Sequence, residues 1–177
     1  MNKINKINQT NIFIVDDNKV FSLALKADIE TAFMNMPLKI YSFETGEKCM
    51  ERFMQVMPEV VILDYCLNSK TPGAADGIKV LDWIKKESRE TNVIMLTGDD
   101  HIDIALRSFH SGASDYIVKT ETKFRKINYS LFNIFKLMAA KNESRKYKRL
   151  LIALFLCIAL LVGGIIAIQI FAPSLLK

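Results

Sequence analysis

Four short apolar runs follow one another along this chain, and each ends on a polar residue of defined chemistry. Ile12-Phe13-Ile14-Val15 runs into Asp16-Asp17, and Val60-Val61-Ile62-Leu63 into Asp64. Val93-Ile94-Met95-Leu96 runs into Thr97, and Tyr116-Ile117-Val118 into Lys119. Runs this short and this continuously apolar suit parallel strands buried on both faces. They predict strands over 12–16, 59–64, 92–97 and 115–118, and the segment 38–43 has the same character. Helix-length segments occupy 19–35, 45–57, 77–89, 100–111 and 121–140. Five β-α units in succession predict a doubly wound parallel α/β sheet. In that architecture ligands bind beyond the carboxyl ends of the strands, where the strand order reverses. Asp16, Asp17, Asp64, Thr97 and Lys119 all fall at such ends.

Local signals agree with the alternation. Asp100 and Thr120 stand where helix N-caps are expected, Thr45 with Lys48 makes an imperfect cap, and Gly112 follows Ser111 as a helix stop. The stretch from Asn68 to Ala75 is rich in turn formers and predicts an exposed loop. No proline or glycine occurs from Thr122 to Val162, so the last helix has no breaker on its way into the segment that follows.

Three carboxylates brought to one sheet edge repel each other. At an effective dielectric near 20, two charges ~4 Å apart cost about 4 kcal/mol. Either a proton is retained or a divalent cation neutralises the cluster. Oxygen ligands without histidine or cysteine at useful spacing favour Mg²⁺ over zinc. A carboxylate, a lysine and a hydroxyl at neighbouring strand ends together suit phosphoryl transfer, which depends on positioning and charge neutralisation.

The residues Val15-Asp16-Asp17, Ile62-Leu63-Asp64-Tyr65, Met95-Leu96-Thr97-Gly98 and Gly112-Ala113-Ser114-Asp115-Tyr116-Ile117-Val118-Lys119 resemble the receiver domain of two-component response regulators over roughly residues 11–138. The resemblance implies a (βα)5 flavodoxin-like sheet with Asp64 as phosphoacceptor. It implies Asp16, Asp17, Asp64 and the backbone carbonyl of Cys66 as Mg²⁺ ligands, and Thr97 and Lys119 as ligands of the phosphoryl group. Tyr116 is then the aromatic that changes rotamer with Thr97, and Gly98 leaves the phosphorus approachable. The implied phosphoryl donor is a histidine kinase or a histidine phosphotransfer protein. A phosphoacceptor of this kind at most catalyses its own phosphorylation and dephosphorylation, so no enzyme in the ordinary sense is expected. The chain departs from the family pattern twice. Thr120 follows Lys119 where the family has a proline after a cis bond, and the loop from Asp64 to Gly77 is several residues longer than usual.

From Leu150 to Ala172 no residue is charged. As a helix this stretch extends about 34 Å at 1.5 Å per residue, enough for a ~30 Å hydrocarbon core. The net charge of +5 is located beside it: Lys141, Arg145, Lys146, Lys148, Arg149 and Lys177, set against Glu143, account for all of it. Residues 1–140 are therefore neutral, which argues against a nucleic-acid surface. Cys49, Cys66 and Cys157 share no metal spacing and fit a reducing cytosol. Met1 to Thr10 is polar and lacks the apolar core of a signal peptide.

The expected organisation is a polar extension over 1–10, a receiver domain over 11–138, a basic juxtamembrane segment over 139–149, a single transmembrane helix over 150–172 and a tail over 173–177. The basic residues precede the span, so the positive-inside bias expects a cell inner membrane with the receiver on its cytoplasmic side. Ala159, Gly163 and Ala167 recur every four residues and permit a homodimer through the span, with the last receiver helix as another route. His101 and His110 read as surface residues and Trp83 as packing. The expected function is a membrane-anchored single-domain response regulator that signals by phosphorylation-dependent protein contact. The alternatives are a phosphate sink for a histidine kinase and a structural anchor that is never phosphorylated.

Overall fold

The computed structural model describes residues 9–67, 73, 75–98 and 102–171, except for the side chains of 145, 146, 149, 161 and 165–171. Five strands, β1 (Thr10–Val15), β2 (Leu38–Phe43), β3 (Val60–Asp64), β4 (Asn92–Thr97) and β5 (Asp115–Val118), form one parallel sheet in the order β2-β1-β3-β4-β5. Five helices alternate with them: α1 (Lys19–Ala32), α2 (Gly46–Val56), α3 (Gly77–Glu87), α4 (Ile102–His110) and α5 (Lys123–Phe171). The order reverses between β1 and β3, and there the crevice of a doubly wound sheet opens. The chain divides into two compact units, 1–132 and 133–177, and the sheet belongs to the first.

The central strands are apolar because helices cover both of their faces. Phe13, Val15, Val61, Leu63, Val93 and Met95 face one cluster with Cys49 and Phe53 of α2 and Val80, Leu81 and Ile84 of α3. The Cys49 thiol is fully buried there, and burial pushes it up to about 12, which leaves it chemically inert. Trp83 packs against this cluster, as its place on the amphipathic stretch suggests.

Observed boundaries differ from the expected ones by up to three residues for most elements, and the caps account for much of the difference. Asn18 Oδ1 accepts from Phe21 N–H and opens α1, and Asp76 Oδ1 accepts from Lys79 N–H at 2.8 Å to open α3. Thr45 does cap α2, through Lys48 N–H at 3.3 Å. Thr120, expected as an N-cap, stands three residues ahead of the first residue of α5. Its carbonyl accepts from Lys123 N–H at 3.1 Å, so a tight turn separates it from the helix. Gly112 ends the α4 connection at φ +94, a conformation that L side chains rarely adopt. In the expected exposed loop, Gly73 is exposed but Ala75 is buried, its N–H held by Glu47 Oε1 at 3.0 Å. Residues 68–72 and 74 of that loop lie outside the described residues, as do Asp100, His101, most of the N-terminal extension and the tail 173–177.

The last helix is longer than expected: α5 continues from Lys123 to Phe171 without interruption. Among the described residues no helix is long and apolar enough to cross a membrane. The expected span 150–172 lies partly outside them, since nothing is described of the side chains of 161 and 165–171 (Ala167 included) or of residue 172. Residues 150–160 and 162–164 are exposed.

Gly77 is where packing presses hardest on the strand ends. A Cβ there would stand 2.5 Å from the Asp64 carbonyl oxygen and 2.7 Å from Tyr65 Cα, and backbone cannot give way as a side-chain tip does. The Gly77 N–H also donates to Tyr65 O at 2.9 Å. Gly77→Ala should therefore destabilise the domain by about 1–3 kcal/mol, the cost of overpacking a close contact. Urea unfolding with an unchanged m-value checks this, and a midpoint equal to wild type contradicts it.

Candidate functional site

Strand register assembles the site. Val15 pairs with Leu63, Asp64 with Leu96, and Thr97 with Val118, so the residue at or just past each carboxyl end reaches the same edge. Asp16 and Asp17 follow β1, Asp64 closes β3, Thr97 closes β4 and Lys119 follows β5. Asp16, Asp64 and Thr97 are almost fully buried, while Asp17 is half-buried.

Lys119 joins the acids. Its Nζ donates to Asp16 Oδ2 at 2.7 Å and lies 2.9 Å from Asp64 Oδ2. The Phe21 ring of α1 lies beneath the same ammonium, 4.8 Å from Nζ to centroid, a cation–π distance. Asp16 is braced from the other side, its Oδ1 accepting from Asn18 N–H at 2.8 Å. The Lys119 backbone N–H donates to Thr97 O at 2.7 Å, which ties the lysine to β4. The Lys119–Thr120 bond is trans, since no peptide bond among the described residues is cis.

Burial pushes the Asp16 carboxyl above the ordinary aspartate value. Lys119 pulls it back only in part, and the neighbouring Asp64 charge adds to the rise. Burial alone would lower Lys119, but the Asp64 and Asp16 carboxylates outweigh it and hold the ammonium above the ordinary lysine value. One cation among three carboxylates leaves the cluster with net negative charge. Carboxylate oxygens of Asp16, Asp17 and Asp64 lie within 4.8 Å of one another. Asp64 Oδ1 is buried and has no hydrogen-bond partner among the described residues. A buried carboxylate oxygen left bare is costly unless a further group satisfies it. Three hard oxygen donors with a surplus of negative charge fit Mg²⁺.

The remaining expected residues take their places around this core. Cys66 lies two residues beyond Asp64 and is exposed. Gly98 is exposed, and a Cβ built there meets nothing within 4 Å among the described residues. Tyr116 is half-buried and lines a cleft of about 500 Å³ with Asp115, Ile117, Arg125, Lys126 and Tyr129. Phe21 and Asn18 are the site residues that sequence reasoning missed. Asn18 carried a readable signal, a cap-forming side chain directly before a helix, whereas Phe21 reads as an ordinary core-facing aromatic.

The raised Asp16 carboxyl has a consequence for stability in metal-free buffer. The folded state holds that proton more tightly than the unfolded state, so the contribution is present below the ordinary value of 3.8 and lost as pH rises through the folded value. Wild type should therefore lose stability relative to Asp16→Asn across that window, leaving the variant ahead at neutral pH. Thermal unfolding of both in EDTA from pH 4 to pH 7 checks it; a difference that is flat with pH contradicts the electrostatic account.

The family pattern described as the response regulator receiver domain matches residues 12–128. The regulatory protein AtoC of Escherichia coli K12 is 25% identical over 134 residues, which are 76% of this chain and 27% of AtoC. The DNA-binding transcriptional regulator NtrC of the same organism is 28% identical over 108 residues, 61% of this chain and 21% of NtrC. This chain thus spans between 21% and 27% of the length of these two relatives. Among solved structures, the BeF3-activated receiver domain of DrrB superposes with a TM-score of 0.59 at 26% identity, covering 72% of this chain and 98% of that domain. DrrB is an OmpR/PhoB homologue of Thermotoga maritima. A CheY-like receiver domain protein from Methanospirillum hungatei shares the fold at a TM-score of 0.59 and 21% identity, covering 73% of this chain and 98% of its own. With the pattern matched over more than half its length and the acid cluster, threonine and lysine at the strand ends, this chain belongs to the response regulator receiver domain family.

Proposed function

We propose that Asp64 is the aspartate on which this receiver accepts a phosphoryl group from a histidine kinase or a histidine phosphotransfer protein. Receiver domains are phosphoacceptors rather than classical enzymes, and they bind Mg²⁺ through an acidic cluster. The observation that carries the assignment is the bare, buried Asp64 Oδ1 beside a lysine already paired to Oδ2 of the same carboxylate. One oxygen is thereby held in place while the other keeps its lone pairs for phosphorus. In the transfer, Asp64 Oδ1 forms a bond to the phosphorus as the bond to the donor imidazole nitrogen breaks, giving an acyl phosphate and a free histidine. Lys119, tethered by Asp16 and the Phe21 face, stays beside the new phosphoryl oxygens, and the Thr97 hydroxyl serves as a further donor. Asp16, Asp17, Asp64 and the Cys66 carbonyl would hold Mg²⁺, which would supply the positive charge that three carboxylates and an incoming phosphate require. Tyr116, three residues before Lys119 and one of the residues lining a cleft, would report the phosphorylated state to a partner protein.

We also propose that 150–172 anchors this receiver in a membrane, with the receiver on the cytoplasmic side. The support is the absence of charge over 23 residues and the basic cluster that precedes them. The exposed Leu150, Leu151, Ile152, Leu154, Phe155, Leu156, Ile158, Leu160 and Val162 occupy successive positions around α5, and water does not stabilise a helix apolar on every side.

Incubation with acetyl phosphate and Mg²⁺ should add one phosphoryl group, seen by intact mass, and Asp64→Asn should abolish it. Chelation of Mg²⁺ should slow labelling of wild type by orders of magnitude, and an Asp64→Asn protein labelled at the wild-type rate would overturn the assignment. For the anchor, full-length protein should resist carbonate extraction, and a variant ending at residue 149 should be released from membranes. Release of the full-length protein would end the membrane reading and leave the phosphoacceptor reading intact.

A further inference from the structure

Lys119 carries its charge on a flexible four-carbon stem, so contacts at the ammonium decide where that charge rests. An ammonium has three N–H donors. Two have carboxylate partners here, Asp16 Oδ2 at 2.7 Å and Asp64 Oδ2 at 2.9 Å. Neither contact is constant, because the phosphoryl step proposed for Asp64 turns that carboxylate into an acyl phosphate and brings oxygens that compete with Asp16. The Phe21 ring is a third neighbour of different character. Its centroid lies 4.8 Å from Nζ, inside the range over which an aromatic face attracts a cation. The ring is neutral and holds no proton to exchange, so its attraction for the ammonium outlasts a change of charge on Asp64.

Contacts outside the acid cluster set the ring in place. Phe21 N–H donates to Asn18 Oδ1 at 3.1 Å, which fixes its backbone in the first turn of α1. Phe124 packs on the ring, with centroids 5.7 Å apart and planes inclined at 43°. Val20 and Leu23, apolar residues close to it on α1, are exposed, whereas Phe21 is half-buried. Asn18 N–H meanwhile donates to Asp16 Oδ1 at 2.8 Å. The stretch from Asp16 to Phe21 therefore supplies two of the groups around the ammonium, one anionic and one aromatic, and Asn18 braces both.

We propose that Phe21 is a positioning residue for phosphoryl transfer: its ring face keeps the Lys119 ammonium beside Asp64 while carboxylate contacts are exchanged for phosphoryl oxygens. The inference rests on the reading of Asp64 as phosphoacceptor and adds to it a residue that touches neither phosphorus nor metal. A hydrogen-bonding side chain in this place would compete with the phosphoryl oxygens for the ammonium. An aliphatic one would fill the space but offer no quadrupole. The ring does neither. It also covers the ammonium from water, and a cation–π contact strengthens as it is desolvated; the Lys119 side chain is 20% exposed.

The test compares full-length wild type with Phe21→Leu, which removes the aromatic face, and Phe21→Tyr, which keeps it. Phosphorylation by acetyl phosphate at saturating Mg²⁺ is followed by intact mass. Phe21→Leu should slow it about fivefold, the ratio that about 1 kcal/mol of cation–π attraction gives. Phe21→Tyr should keep most of the wild-type rate. NMR gives a reading that needs no phosphate. The Lys119 Hε resonances should stand upfield in wild type through the Phe21 ring current, stay there in Phe21→Tyr and return to the ordinary lysine position in Phe21→Leu. Lys123 is the control: its Nζ lies 5.6 Å from the Phe124 centroid, and its Hε resonances should hold still in both variants. A Phe21→Leu protein phosphorylated at the wild-type rate overturns the positioning role. So does a Phe21→Tyr protein as slow as Phe21→Leu, or a Lys123 shift as large as that of Lys119, since either marks a packing effect. Wild type that takes up no phosphoryl group overturns the phosphoacceptor reading, and the role in transfer with it. Lys119 resonances unmoved in Phe21→Leu overturn the ring as the seat of the ammonium and leave the phosphoacceptor reading intact.

Discussion

One lysine among three carboxylates is the constraint on which the rest of this structure depends. Lys119 reaches Asp16 and Asp64 from across the sheet, 103 residues from the first of them in sequence. Burial holds the Asp16 carboxyl above its ordinary range despite its ion pair with Lys119, and the neighbouring Asp64 charge adds to the rise. Such a cluster persists only where the surrounding fold is strong enough to hold it. The fold supplies that strength through β1, β3 and β4, whose central residues are fully buried, and through helix starts that press on the strand ends, as Gly77 does at Asp64. The charge deficit is also what makes the site receptive, since any cation that enters relieves a repulsion already present.

Much of this was legible before any coordinates. The strand-end residues could be read because a fully buried parallel strand has to be continuously apolar, so the first polar residue after each run marks the sheet edge. Asp16, Asp64, Thr97 and Lys119 fall where that rule puts them. What could not be read was contact across long separations. Phe21 under Lys119 and Glu47 on the Ala75 N–H join residues that share no local pattern, the latter pair 28 positions apart. Thr120 was misplaced as a cap for a local reason: Thr120 and Thr122 both offer hydroxyls, and the turn between them moves the helix start to Lys123.

A groove of about 610 Å³ between the ends of α3 and α4, lined by Lys85, Lys86, Arg89, His110, Ser111 and Gly112, eluded the sequence for a different reason. Lys85, Lys86 and Arg89 are interleaved with Glu87 and Glu90, so the local charge is nearly balanced on paper. Folding sets the three basic residues beside His110, Ser111 and Gly112 of the next connection. Gly112 has a positive φ there, a conformation that L side chains rarely adopt, and the Lys85 stem passes 3.4–3.6 Å from where its Cβ would stand, an ordinary contact distance.

The acid cluster is linked to the start of α5 through the lysine. Lys119 is bonded through its backbone to Thr97, its ammonium rests on Phe21, and Phe21 packs on Phe124 in the first turn of α5. A phosphoryl group on Asp64, as proposed, would offer this ammonium new anionic oxygens, in competition with Asp16. A ligand shifts an equilibrium only through differential contacts with its states, and here the contacts that differ are those of one side chain seated at the start of the last helix. From Lys123 that helix continues without proline through the basic segment to Phe171. A change in how Phe124 packs is therefore a change at the first turn of that helix.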